Sequence, residues 1–99
     1  MKLMIYSIYD KATAAYMRPF FMQSDQQALR SFGDIAQDAE HDIGQHPEDY
    51  SLCRIGTFND ATGEVQGDAV EVIGKAFELV AQAQKIVPGS LKENDDNIL

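Results

Sequence analysis

The segment that decides the fold is SDQQALRSFGDIAQDA, residues 24–39, because it carries both a helix start and a helical pattern of apolar residues. Ser24 with Gln27 three residues later is a capping box. The serine oxygen accepts the N–H of residue 27, and the glutamine reaches back to the serine N–H. Gly33 weakens the helix by about 1 kcal/mol relative to alanine. We predict a helix from 25 to about 39, whose apolar face holds Ala28, Leu29, Phe32, Ile35, Ala36 and Ala39.

A β-hairpin is predicted before this helix. Residues 2–9, KLMIYSIY, are apolar on both alternating faces and rich in β-branched and aromatic residues, which indicates a central strand. Residues 10–13 are a plausible turn, and residues 15–22, AYMRPFFM, are predicted as the second strand. Because Pro19 cannot donate to the ladder, this strand should lie at an edge or carry a bulge there.

A second hairpin is predicted after the helix. Residues 41–47 read as a loop, residues 50–58, YSLCRIGTF, as the third strand, and residues 59–63 as a turn. Gly63 is expected at positive φ in that turn. Residues 64–67 begin the fourth strand.

Two interpretations compete from residue 70 onward. Val70, Ile73, Phe77 and Val80 follow helical spacing, which predicts a helix over 70–86 that ends before Pro88. The alternative takes VEVIG, residues 70–74, as strand. The length of the segment favours the helix. Residues 90–99 are polar and acidic and are predicted to be a disordered tail.

These elements predict one small α+β domain over residues 1–89. Its order is β-β-α-β-β, with a four-stranded antiparallel sheet of two hairpins, one covering helix and a C-terminal helix. The predicted core consists of Leu3, Ile5, Ile8, Phe21, Leu29, Phe32, Leu52, Ile55, Phe58 and Phe77.

The charge of the chain argues against non-specific nucleic-acid binding. The 99 residues carry a net charge of −8, and residues 34–49 hold six acids with no lysine or arginine. A phosphate backbone is bound mainly by clustered cations, so an acidic chain repels it. Cys53 is the single cysteine, and no apolar run approaches the ~20 residues of a membrane span. We expect a soluble intracellular protein that does not bind membranes.

The residues that could carry catalysis or bind a metal each have a simpler explanation. The spacing of His41 and His46 matches no common metal-ligand pair, so both are expected in a surface loop. Glu48 and Asp49 are adjacent loop acids, which are usually solvated. Cys53 lies mid-strand, where a small buried thiol is expected. We therefore expect no catalytic residue, no metal site and no cofactor, and a protein that is not an enzyme.

The N-terminal hairpin could contact single-stranded nucleic acid, because sheet aromatics can stack on bases and nearby cations can bind phosphate. The alternative explanation of the aromatics is packing within the hairpin. Self-association through an exposed part of the predicted helix 70–86 stays open too. The candidate nucleic-acid contacts are Lys2, Tyr6, Lys11, Tyr16, Arg18 and Arg30.

Four segments in order resemble a known family. They are IYSIYDKATAAY at 5–16, PFF at 19–21, SDQQALRSF at 24–32 and HPEDYSLCRIGTFNDATGE at 46–64. Together they resemble the small non-structural ORF5 protein of gokushovirus-type microviruses, which are phages with single-stranded DNA. The resemblance covers about residues 3–65. It departs from the family pattern at Asn59, where aspartate is more usual, and after residue 67.

The resemblance implies a protein of the infected bacterial cytoplasm that is absent from the virion and is associated with replication and packaging of single-stranded DNA. It brings no catalytic residues. We expect a non-enzymatic regulator that contacts a phage replication protein or a host replication factor, with candidate contacts at Pro47, Glu48, Asp49 and Tyr50. The alternatives are direct binding of single-stranded DNA and an acidic mimic of DNA.

Overall fold

The computed structural model describes residues 1–86, which form an antiparallel sheet with helices packed on one face. The strands are β1 (Lys2–Asp10), β2 (Ala15–Tyr16), β3 (Phe20–Met22), β4 (Tyr50–Asn59) and β5 (Glu64–Lys75). The helices are α1 (Asp25–Ala36), α2 (Asp42–Gln45) and α3 (Ala76–Ile86), and a 3-10 turn spans Pro47–Asp49. The α+β class with a C-terminal helix is confirmed.

The sheet is built from two hairpins joined through their first strands. Its order is β2-β1-β4-β5, and β3 also pairs with β1. Since β4 pairs along the whole of β1, β2 and β3 share the opposite side of β1 as one interrupted edge strand. The interruption covers residues 17–19 and contains Pro19. The predicted edge position of this strand is therefore confirmed, whereas the strand predicted over 15–22 is divided in two, because Pro19 has no N–H to donate to the ladder.

The predicted helix over 70–86 is wrong in its first part. Strand β5 continues to Lys75, and its pairs with β4 include Val72 with Cys53 and Gly74 with Leu52. The strand interpretation holds for residues 70–74, and the helix begins at Ala76. The apolar spacing was compatible with both structures. Pairing with β4, a contact distant in sequence, satisfies the backbone of residues 70–74 in the extended form.

Helix α1 begins where the capping box predicts. Ser24 accepts the N–H of Gln27 at 3.2 Å, whereas the Gln27 side chain accepts the N–H of Gln23 at 3.3 Å instead of that of Ser24. The helix ends at Ala36, three residues earlier than predicted.

Part of the predicted loop over 41–47 is helical. The His41 ring accepts the N–H of Ile43 at 3.1 Å and so caps the short helix α2. This turn buries Ile43, which is 1% exposed, against the core.

The core lies between the sheet and α1 and α3. Of the predicted core residues, Ile5, Phe32 and Leu52 are buried, and Leu3, Ile8, Leu29, Ile55 and Phe58 are partly buried. The predictions for Phe21 and Phe77 are wrong, since these side chains are 50% and 48% exposed. The central cluster consists of Tyr6, Ala28, Phe32, Ala36, Ile43, Leu52 and Ala76.

The two hairpin turns use different residues in the left-handed region. Gly63 has φ +78°, as predicted, and its N–H donates to the Asn59 carbonyl at 2.7 Å. The first turn uses Ala14 at φ +55°. The predicted end of the domain at residue 89 and the predicted tail over 90–99 lie outside the described residues. None of the helices in residues 1–86 has the length and apolar content of a membrane span.

Candidate functional site

The two faces of the sheet differ in what covers them. One face carries Tyr6, Ile8 and Leu52 and packs against the helices. In the part of the chain that the structure describes, no helix packs on the other face. We call this second surface the open face, and it comprises Leu3, Ile5, Ser7, Tyr16, Met17, Pro19, Phe21, Ile55, Phe58, Val65, Val70 and Val72.

Two apolar grooves run across the open face. The first has a volume of about 380 Å³ and is lined by Ser7, Tyr16, Met17, Pro19, Ile55 and Val70. The second has a volume of about 400 Å³ and is lined by Ile5, Pro19, Phe21, Ile55, Val65, Gln66 and Gly67. Both share Pro19 and Ile55, so they form one continuous surface, and neither is lined by a charged side chain.

Irregular pairing in the second hairpin shapes these grooves. On β4, Ile55 is an extra residue between Arg54 and Gly56, which pair with the consecutive residues Tyr6 and Ile5 of β1. On β5, residues 68–70 lie opposite the single residue Ile55 of β4, so β5 has two residues more over this stretch. Bulges of this kind increase the local twist. A Cβ at Gly56 would lie 2.4 Å from the Gln66 carbonyl oxygen, so the close approach of the strands requires glycine there.

Aromatic pairs mark both ends of the open face. The rings of Tyr9 and Tyr16 have centroids 4.9 Å apart, and those of Phe21 and Phe58 lie 5.6 Å apart in an edge-to-face arrangement. Tyr16 and Phe21 are 52% and 50% exposed. Large aromatic side chains on a surface are typical of binding sites rather than of a solvated sheet face.

The two buried polar side chains beneath the open face are Ser7, which is hydrogen-bonded, and Cys53, which is protonated. The Ser7 hydroxyl donates to the Met17 carbonyl at 2.6 Å, which holds the interrupted edge strand over the sheet. Cys53 is 1% exposed, and burial raises the pKa of its thiol, with a smaller opposing effect of a hydrogen bond involving the Tyr9 backbone. A protonated, inaccessible thiol fits the predicted structural role and not that of a nucleophile.

A charged network on the covered face ties α1 to the sheet. The Tyr6 hydroxyl donates to Asp25 at 2.7 Å, while Arg54 donates to Asp25 and, at 2.6 Å, to Glu71. Burial raises the pKa of the Tyr6 phenol, and its bond to Asp25 adds to that. For Asp25, burial favours protonation, but hydrogen bonds from Arg54 and Tyr6 outweigh it and lower the pKa of the carboxyl. Sequence reasoning missed this network because its members come from four separate elements.

The sequence comparisons place the chain in a family. It matches the family described as Phage ORF5 protein over residues 3–79. The chain belongs to the phage ORF5 protein family. Protein ORF5 of Chlamydia phage 1 is 31% identical over 67 residues, which are 64% of this chain and 70% of that relative. No solved structure matches the chain.

Family membership confirms the resemblance found in the sequence and extends it. The family match continues beyond residue 65 through β5 and into α3. The segment after residue 67, where the resemblance ended, is thus part of the ORF5 family pattern up to residue 79. All residues that line the two grooves lie within the matched range.

The candidate nucleic-acid contacts of this ORF5-family chain differ in burial and lie on different sides of the sheet. Tyr6 is fully buried and cannot stack on a base, whereas Tyr16 is exposed on the open face. Arg30 lies on α1, on the other side of the sheet from Tyr16. Lys2, Lys11, Arg18 and Arg30 are exposed, and none forms an ion pair with another residue of the range 1–86.

Of the candidate protein contacts, Pro47, Glu48 and Asp49 form the 3-10 turn that leads into β4, and Tyr50 is the first residue of that strand. Glu48 is exposed, whereas Tyr50 packs against the core. Burial raises the pKa of the Tyr50 phenol, and the charges of Asp10, Asp42 and Asp49 raise it further. Beside this turn lies a small pocket of about 220 Å³, lined by Tyr9, Lys11, Glu48, Asp49, Ser51, Lys75 and Phe77.

The two histidines occupy separate structural positions. His41 caps α2, and His46 lies 3.9 Å from Glu48 with both side chains exposed. Within residues 1–86, no three His, Cys, Asp or Glu side chains are grouped as metal ligands.

Proposed function

We propose that this ORF5-family protein is a non-enzymatic accessory factor of phage single-stranded DNA replication or packaging, and that it works through protein contacts on its open face. The observation that carries this proposal is the pair of continuous apolar grooves without a charged lining residue. Charged residues are depleted at the centre of protein interfaces, where aromatic residues and methionine are enriched. Tyr16, Met17 and Phe21 match that composition.

The charge distribution supports a protein partner over bare DNA. The chain carries a net charge of −8. The exposed cations near its N-terminus are not joined by a basic cluster elsewhere in the sequence. Arg30 lies on the helical layer and cannot join Lys11 and Arg18 of the first hairpin in one phosphate-binding stripe. A DNA surface needs several cations along one path.

Direct binding of single-stranded DNA is the second candidate function. The half-exposed rings of Tyr16 and Phe21 favour it, because bases can stack on aromatic side chains of a sheet. Lys11 and Arg18 of the same hairpin could contact phosphates. The aliphatic lining of the grooves weighs against it, since valine and isoleucine offer no stacking surface.

A pulldown from infected cells tests the proposal. The baits are the wild-type chain, Val70→Lys on the open face, and Ala39→Lys, which adds the same charge at an exposed position after α1. We expect wild type and A39K to recover a phage or host replication protein, and V70K to lose it. Equal recovery by all three baits would overturn the role of the open face.

A salt titration with single-stranded DNA separates the two candidate functions. Tight binding at low salt that weakens steeply as salt rises indicates phosphate contacts and would favour the second candidate. Under the first candidate, the purified protein should show no such binding.

A further inference from the structure

The exposed apolar area of the open face is as large as the largest apolar patch of a typical monomer. Six of its side chains are 44% to 64% exposed. With roughly 150–250 Å² for a whole aromatic side chain and less for methionine and valine, these exposed fractions amount to on the order of 500 Å². The largest apolar patch on a typical monomer is about 300–600 Å² and is often functional. The six side chains are Tyr16, Met17, Phe21, Val65, Val70 and Val72.

This area is what one half of a homodimer interface requires. A standard interface buries about 800 Å² per partner. Homodimer interfaces are about 65% apolar, which corresponds to roughly 500 Å² of apolar surface per partner. The open face therefore matches the apolar area that one copy contributes to a stable dimer.

The shape of the open face suits pairing with itself. Grooves of about 380 and 400 Å³ lie beside the half-exposed rings of Tyr16 and Phe21. A two-fold axis would bring the projecting rings of one copy over the grooves of the other, which is the isologous arrangement of most dimers. Two sheets pack face to face in this way in β-sandwiches.

The acidic residues of the helical layer lie away from this contact. Helices α1 and α2 and the loop between them, which carry Asp34, Asp38, Glu40 and Asp42, pack on the opposite face of the sheet. Glu64 and Asp68 lie on β5, at the edge of the sheet, and are not among the groove-lining residues. Acidic groups separated by more than a Debye length of about 8 Å interact weakly at physiological salt.

We propose that the protein seated on the open face is a second copy of this chain, packed sheet to sheet about a two-fold axis. This inference rests on the proposed function only in assigning a protein-binding role to the open face. In the dimer, the two acidic helical layers face outward, and a replication partner that requires both layers is lost from V70K because that variant is monomeric.

Sedimentation equilibrium of the full chain over a wide concentration range tests the inference. We expect wild type to approach twice its mass of 11.0 kDa. Val70→Lys should raise the dissociation constant at least about tenfold, because each copy then buries an unpaired charge in the contact. Phe21→Ser is a second variant, which removes apolar surface without adding charge, and Ala39→Lys is the matched control. Circular dichroism and urea unfolding establish that each variant is folded.

Each result decides the inference. A folded wild-type chain that stays monomeric overturns it, as does a dimer that neither V70K nor F21S weakens. Single-stranded DNA that occupies the open face of a monomer also overturns it.

If wild type is monomeric and V70K still loses a replication protein in the pulldown, the dimer fails and the proposed function stands. If V70K is monomeric and recovers that protein like wild type, the dimer stands and the function proposed for this face fails.

Discussion

Arg54 on β4 bridges Asp25, at the first turn of α1, and Glu71 on β5. Its Nη1 donates to the Asp25 carboxylate, and its Nη2 donates to the Glu71 carboxylate. The Tyr6 hydroxyl completes the site from β1, at 2.7 Å from Asp25. Two strands and the main helix therefore meet at the Asp25 carboxylate, 29 residues before its arginine partner, and Arg54 links this site to a third strand.

The first prediction concerns the pH dependence of stability. Because the folded state lowers the pKa of Asp25, this group stabilises the fold above its ordinary pKa of ~3.9 and ceases to do so as pH falls through the folded value. Asp25→Asn should reduce the acid-induced loss of unfolding free energy below about pH 5, measured by urea unfolding at several pH values. At neutral pH it should cost about 1 kcal/mol, since the pair is partly exposed.

The control for this experiment is Asp34→Asn, which changes an exposed acid that forms no ion pair with another residue of the range 1–86. It should follow wild type at every pH. The prediction fails if D25N keeps the pH slope of wild type.

The second prediction concerns the Tyr6 hydroxyl. Tyr6→Phe leaves a charged acceptor with one donor fewer in a buried setting, so it should lower the free energy of unfolding by about 1–2 kcal/mol. Tyr9→Phe, in the same strand but only partly buried, should change it by less than about 0.5 kcal/mol. Denaturant midpoints of the two variants compare them directly, and equal losses would contradict a specific role of the Tyr6–Asp25 bond.

The third prediction compares two glycines. A Cβ at Gly33 meets nothing within 4 Å, so Gly33→Ala should stabilise α1 by about 0.5–1 kcal/mol. A Cβ at Gly44 would lie 1.8 Å from the Asp38 carbonyl oxygen, so Gly44→Ala must displace α2 and should cost about 1–3 kcal/mol. Thermal unfolding should show midpoints shifted in opposite directions. A stabilising G44A would mean that α2 packs differently from this structure.

The fourth prediction concerns the reactivity of Cys53. Its thiol is 1% exposed and its pKa is raised by burial, so it reacts only when the sheet opens. Labelling by a thiol reagent should be ~100-fold or more slower in the native protein than in urea. A native rate close to the denatured rate would show that the sheet opens readily at β4.

Local signals predicted much of the fold. The capping residue Ser24, the donor-less Pro19 and the turn residue Gly63 each act through their own backbone, so their effects are visible in a short window. The junction of β5 and α3 was not predictable in this way. Residues 70–74 have apolar spacing compatible with a helix or a strand, and their pairing with β4 decides between them.

The candidate site was only partly visible in the sequence. The apolar residues on both faces of β1, including Leu3 and Ile5 opposite Met4 and Tyr6, indicated a central strand but not what covers each face of the sheet. The helices of residues 1–86 cover one of them. The predicted contacts at Pro47–Tyr50 rested on exposed acids, whereas the open face arises from residues of both hairpins.

The sequence by itself determined the family, the positions of the turns, the start of the main helix and the α+β class, because these depend on motifs and on neighbouring residues. Only the tertiary structure decided which apolar side chains are buried, where β5 ends, and that Tyr6, Asp25, Arg54 and Glu71 meet. Those outcomes depend on contacts between residues far apart in the chain, whose free energies are set by packing and register. Phe21 and Phe32 illustrate the difference, since both are phenylalanines in regular elements, and only the second faces the covered side of the sheet.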